Sequence, residues 1–156
     1  MRGEFGNRPE VLAPGGGLEA IEVAVAHGAD AVYAGVGTLN ARVRAANLSE
    51  AQLPGVVRFV HEAGARLYVP LNVPLRPGDR DETARVLALC DAAGVDAVIL
   101  RDPVLMRVCR DRFPSLAVHA STQAGVHSVE TAHRAAGLGC RRVILARECS
   151  RDTIAR

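Results

Sequence analysis

Ala93-Gly94-Val95-Asp96-Ala97-Val98-Ile99-Leu100 is the stretch on which the fold turns. An alanine-rich, helix-favouring segment stops at a glycine. After one polar residue it passes into four apolar residues with no alternation. Glycine at the position just past a helix, followed by a short, wholly apolar run, describes a helix end feeding a strand buried on both faces. The pattern recurs. His27-Gly28-Ala29-Asp30 leads into Ala31-Val32-Tyr33-Ala34, and Ala63-Gly64-Ala65 into Arg66-Leu67-Tyr68-Val69. Gly137-Leu138-Gly139-Cys140 leads into Arg141-Arg142-Val143-Ile144-Leu145. Helices alternating with buried strands call for right-handed βαβ units and a parallel sheet.

Working outward, the spacing predicts six strands, at 11–13, 31–35, 66–72, 97–101, 117–121 and 142–147. Five helices separate them, at about 17–27, 49–63, 79–93, 103–112 and 128–136. Ser49-Glu50 and the run Asp79 to Glu82 supply caps and first-turn acids, and Pro103 follows Asp102 as proline in a first helical turn. Ser150-Arg151-Asp152 reads as the cap of a sixth helix that barely begins. Met1 to Arg8 reads as a disordered lead-in, and residues 9–156 as the folded unit.

Two architectures accept this string. An open doubly wound sheet is self-sufficient at 156 residues, whereas a (β/α)8 barrel takes about 250. The chain is therefore either a complete open sheet or a piece of a barrel.

Composition narrows the chemistry. The chain is 49% hydrophobic and 23% charged, with five aromatic residues (three Phe, two Tyr and no Trp), so Ala, Val, Leu and Ile must build its core. All 19 basic residues are arginine. Without lysine, Schiff-base chemistry, pyridoxal enzymes of the usual style and lysine-bearing P-loops are excluded for this stretch. A net charge of +2 does not by itself point to nucleic acid or an anionic membrane. Apolar runs are too short for a membrane span, and no signal-peptide segment opens the chain, which suggests a cytoplasmic protein. Cys90, Cys109, Cys140 and Cys149 form no C-x-x-C pair and match no zinc or iron–sulfur spacing; they read mainly as core thiols.

Parallel αβ folds gather chemistry at the C-terminal ends of their strands. Here those ends hold Tyr33, Asn72, Asp102, His119, Ser121, Gln123, Arg147 and Glu148. Period-two alternation puts Ala117, His119 and Ser121 on one face, and likewise Tyr68, Pro70 and Asn72, and Leu145 with Arg147. A polar rim over a packed interior is a pocket signature, although polar residues also resume at strand ends for no functional reason. A hydrolase triad of Ser121, His119 and Asp102 lacks the G-x-S-x-G context, and a histidine two residues away on the same strand lies parallel to the serine. Gly15-Gly16-Gly17-Leu18-Glu19-Ala20 fits G-x-G-x-x-A formally, but Tyr33-Ala34-Gly35-Val36 offers no acid for a dinucleotide ribose. Arg42 and Arg44, in the long loop after the second strand, could clamp an anion or simply face solvent.

Six motifs, in order and with few gaps, resemble the collagenase-like peptidase family, peptidase family U32. They are Pro9-Glu10-Val11-Leu12-Ala13-Pro14-Gly15-Gly16, Gly28 to Gly35, Leu39-Asn40-Ala41-Arg42, Tyr68-Val69-Pro70-Leu71-Asn72 with Gly94 to Ile99, His119-Ala120-Ser121-Thr122-Gln123, and Arg142 to Glu148. The resemblance implies a (β/α)8 TIM-barrel-like fold, here truncated to about six parallel strands and five helices, with the C-terminal part of the family missing. It implies a protein named as a peptidase whose relatives include oxygen-independent hydroxylases of tRNA, ribosomal RNA or ubiquinone precursors, the RNA-directed ones linked to prephenate as donor. Substrates would be a small molecule, an RNA or a peptide.

An iron–sulfur (4Fe-4S) cluster is implied for the cysteine-bearing signature beyond the sixth strand, and no metal site or cofactor within this chain. Asn40, Arg42, Asn72, His119, Ser121, Gln123, Arg147 and Glu148 match family motifs and are the candidate substrate-binding residues; the catalytic residues are unassigned. The competing readings are a non-catalytic truncated barrel or binding module, and a phosphate- or nucleotide-binding α/β domain. An incomplete barrel would also expose strand edges open to self-association.

Overall fold

The computed structural model describes residues 8–41 and 46–155. Six strands, β1 (Leu12–Gly15), β2 (Ala31–Ala34), β3 (Arg66–Leu71), β4 (Ala97–Leu100), β5 (Ala117–Ala120) and β6 (Cys140–Val143), form one sheet. All pair in parallel, each with its sequence neighbours. A doubly wound sheet reverses its strand order part-way across. The uninterrupted order β1-β2-β3-β4-β5-β6 is instead that of a barrel wall, left open because β1 does not pair with β6. The open-sheet alternative is thereby set aside.

The connecting helices are α1 (Leu18–Ala26), α2 (Leu53–Glu62), α3 (Arg80–Ala93), α4 (Pro103–Arg112) and α5 (Val129–Gly137), with a short α6 (Arg151–Ile154) after β6. The glycines at the repeated junctions do what the sequence asks of them. Gly94 and Gly139 adopt φ of +78° and +95°, the left-handed region that an L side chain enters only at a cost. One face of the sheet meets the helices. Val32, Leu67, Val69, Val98, Leu100 and Val118 pack there against Ile21 of α1, Val57 and Val60 of α2, Leu87 and Cys90 of α3 and Met106 of α4, all buried. The opposite, inner face carries a smaller cluster of Ala31, Tyr68, Ala97 and Ile99, flanked by Leu12, Tyr33, Ala117 and Ile144. Mixing alanine with bulkier residues is how a narrow barrel interior fills without voids.

Three expectations shift. The sixth strand runs Cys140–Val143 and not 142–147. The ladder to β5 slips between Val118 and His119, so that Arg141 is passed over, and it ends where Ile144 N donates to Ala120 O at 2.9 Å. Leu145 and Arg147 therefore belong to the loop beyond β6 and do not share a strand face. The second helix starts at Leu53, because Ser49 and Gln52 close a separate turn: Ser49 N donates to Gln52 Oε1 at 2.9 Å and Gln52 N to Ser49 Oγ at 3.3 Å. Of the lead-in, residues 1–7 lie outside the described residues, while Arg8 pairs with Asp30.

Candidate functional site

A cavity of about 480 Å³ opens at the C-terminal ends of the strands. Leu12 of β1, Pro70 of β3, Ile99 of β4 and Ile144 just after β6 make its apolar floor, with Tyr33 of β2 beside them. Asn72, Ser121, Thr122 and Gln123 form an uncharged hydrogen-bonding rim. Arg147 is the one charged side chain among the described lining residues. An apolar base under a few convergent polar groups is the usual make-up of a small-molecule site.

Local structure explains how the rim is held. β5 ends at Ala120, and Ser121 caps a single 3-10 turn, Thr122–Ala124, its Oγ accepting from Gln123 N at 3.2 Å. Asn72 lies just past β3 and links two walls. Its Oδ1 accepts from Ala41 N at 3.0 Å, and its Nδ2 reaches Ser121 Oγ at 3.5 Å. Gln123 Oε1 accepts from Arg101 Nη1 at 3.3 Å. Behind the wall, Asn40 is fully buried and donates from Nδ2 to Gly37 O at 3.2 Å. Gly35 is required beside it, since a Cβ there would come within 2.8 Å of Asn40 Cγ and closer still to Asn47 Oδ1.

Of the eight candidates, Asn72, Ser121, Gln123 and Arg147 come together around the cavity. Asn40 supports its wall from behind. Glu148 is exposed and is not part of the lining, although its neighbour Arg147 is. Arg42, with Arg44, lies outside the described residues. His119 is not on the rim. It sits within β5, 6% exposed, one layer below Ser121, its ring edge-on to that of Tyr68 with centroids 4.7 Å apart. Burial, reinforced by the positive charge of Arg142, pushes its pKa down to about 4, so the ring is neutral at pH 7.

The triad fails on geometry as well as on context. Asp102 caps α4, its Oδ1 accepting from Val104 N and Leu105 N at 2.8 and 3.0 Å. Tyr33, one of the strand-end residues, lines the cavity as well, and Glu10, to which no role is assigned in sequence, lies below it. The period-two pattern that selects Leu12 and Tyr68 as inward-facing also selects Glu10, so the signal for it was present.

The cysteines do not compose a ligand set for the iron–sulfur cluster that the resemblance implies. Cys90 and Cys109 are buried on α3 and α4, their thiols pushed up to about 12 by burial, the reverse of the thiolates a cluster needs. Cys140 begins β6, and Cys149 Sγ lies 3.9 Å from Val126 O. Among the described residues no group of three His, Cys, Asp or Glu side chains is placed to hold a metal ion.

Comparison with known proteins decides the family. The family model described as "Peptidase family U32" matches residues 16–156. The chain belongs to peptidase family U32. Among curated relatives, "tRNA hydroxylation protein P" of Escherichia coli is 35% identical over 94% of this chain and 32% of its own length. "tRNA hydroxylation protein P1" of Bacillus subtilis is 34% identical over 92% of this chain and 34% of its own. A "Collagenase" of Porphyromonas gingivalis is 30% identical over 93% and 34% respectively. The chain thus spans about a third of the length of these U32 relatives.

Solved structures agree on the fold. The U32 peptidase Mk0906 superposes with a TM-score of 0.70 at 17% identity, over 90% of this chain and 59% of that one. The tetrameric deoxyribose phosphate aldolase of Aeropyrum pernix superposes with a TM-score of 0.62 at 22% identity, over 81% and 55%. The U32 chain is accordingly six strands of a TIM-barrel-like wall. Among the described residues no helix is long and apolar enough to cross a membrane.

Proposed function

We propose that this chain forms the six-strand barrel portion of an oxygen-independent RNA hydroxylase, and that its cavity receives a small organic donor with an apolar body and at least one carboxylate. The make-up of the lining carries the reading: an apolar floor, an uncharged rim, and Arg147 in place of any carboxylate. Arginine can grip a carboxylate through two parallel hydrogen bonds, while the floor takes the carbon skeleton. Relatives named for tRNA hydroxylation, and a relative in Escherichia coli named 23S rRNA 5-hydroxycytidine C2501 synthase that is 34% identical over 95% of this chain, support an RNA target. A cysteine-held iron–sulfur cluster, where the full-length protein uses one, would be bound by residues outside this chain.

Proteolysis by this portion is disfavoured by the same geometry. The hydroxyl of Ser121 is engaged by Asn72 and Gln123 N, His119 packs edge-on against Tyr68 a layer below, and Asp102 is committed to its helix. A serine nucleophile needs a base within hydrogen-bond reach.

Deleting the full-length gene and measuring nucleosides by mass spectrometry tests the reading. Loss of a hydroxylated uridine or cytidine is expected, and an unchanged nucleoside set refutes it. Calorimetry with prephenate should show binding to the full-length protein, weakened roughly tenfold or more in Arg147→Ala, the scale of one charge-assisted contact. Gelatin cleavage that survives purification from host proteases would favour the peptidase reading instead.

A further inference from the structure

Beneath the cavity lies a polar cluster that the proposed function does not use. Glu10, two residues before β1, accepts from both terminal guanidinium nitrogens of Arg142 of β6, Nη1 to Oε1 and Nη2 to Oε2, the latter at 3.1 Å. Tyr68 of β3 donates its hydroxyl to the same Oε2 at 3.0 Å. The Arg142 guanidinium carbon is 5.6 Å from the centroid of the Tyr68 ring, and His119 of β5 meets that ring edge-on. The Glu10 side chain is only 8% exposed. Burial opposes its charge, but the hydrogen bonds from Arg142 and Tyr68 and the charges of Arg142 and Arg66 hold its carboxyl below the usual range.

The placement is systematic. Each of the four residues stands two positions before a residue lining the cavity: Glu10 before Leu12, Tyr68 before Pro70, His119 before Ser121, Arg142 before Ile144. With period-two alternation, the four side chains form the layer directly under the cavity floor. Glu10 and Arg142 come from opposite ends of the sheet, which backbone pairing leaves unconnected.

We infer that Glu10, Tyr68, His119 and Arg142 act as a cross-tie: they couple β1 and β6 across the barrel interior and so hold opposite walls of the cavity in register. As positioning residues they act on a ligand only through the walls above them. The inference stands on the geometry of the sheet and is independent of which substrate the cavity takes.

Hydrogen exchange followed by mass spectrometry on the full-length protein tests it, with Glu10→Gln and Tyr68→Phe as variants and Glu50→Gln, which breaks only the exposed Glu50–Arg85 pair, as control. A cross-tie predicts that exchange in segments 8–16, 119–125 and 140–147 quickens together, by roughly tenfold, while α3 and β4 keep their protection. Quickening confined to segment 8–16 would reduce Glu10 to an anchor of its own strand and overturn the inference. So would equal quickening everywhere, which marks general destabilisation, or no change in either variant. Tyr68→Phe removes one hydroxyl and keeps the ring, so it gives the answer even where Glu10→Gln does not fold.

Discussion

At the scale of the residue, His119 shows how burial alters what a titratable group does. On a rim it would be a candidate acid or base near neutrality. Inside β5, its pKa falls from the ordinary 6.5 to about 4, by burial first and then by the charge of Arg142, against the opposing pull of Glu10 and with smaller lowering effects of Arg141 and Arg66. The sign of the consequence follows. Between about pH 6.5 and 4 the unfolded chain binds a proton that the folded chain refuses, so stability falls as pH falls across that window. The loss attributable to His119 approaches about 2–3 kcal/mol near pH 4. Glu10 adds a loss of the same sign further down, where its lowered carboxyl finally protonates. Urea denaturation at pH 7, 6 and 5 should therefore show declining stability. His119→Gln should flatten the decline while leaving Tyr68 without its edge-on partner. An equal slope in both proteins would place the acid sensitivity elsewhere.

At the scale of the element, the helix boundaries that carry a physical device are the ones legible in the sequence. Asp102-Pro103 fixes the start of α4 because the carboxylate satisfies two orphan N–H groups and the proline gives up one that would be orphaned anyway. Asp102→Ala should cost about 1 kcal/mol in denaturant unfolding, with Asp102→Asn close to wild type, and neither should alter ligand binding in the cavity. A large loss of activity with unchanged stability would return Asp102 to the site. Ser150 likewise caps α6, its Oγ accepting from Thr153 N at 3.2 Å. The start of α2 and the span of β6 were misplaced for a common reason: tertiary pairing decided them. The Ser49–Gln52 turn looks like a helix start in sequence, and Val143-Ile144-Leu145 looks like a strand core. Only the point where β5 runs out of carbonyls says that β6 has ended. The candidate site divides in the same way. Asn72, Ser121 and Gln123 stand just beyond apolar runs and are readable, and period-two alternation turns Glu10 and His119 inward, whereas the meeting of Glu10 with Arg142 depends on sheet curvature that no local pattern encodes.

At the scale of the whole molecule, parallel strands laid in chain order curl into a wall, and six of them do not close it. The inner cluster is small, and the Glu10–Arg142 tie joins the ends through side chains only, so among the described residues the outward N–H and C=O groups of β1 and β6 have no strand partner. β1 is short and carries Pro14, which removes one donor from its edge. β6 has no proline, and exposed Leu145 follows it, so it is the more adhesive of the two. Residues 1–156 expressed alone should then self-associate in a concentration-dependent way in size-exclusion chromatography with light scattering. Arg142→Pro would break the ladder to β5 and sever the cross-tie, so the probe is Val143→Pro, which removes an outward backbone donor from β6 and leaves Arg142 in place. That variant should shift the population towards monomer. A wild-type chain that stays monomeric at high concentration and unfolds in a single cooperative step would show that the side-chain tie suffices to make an open six-strand wall self-contained.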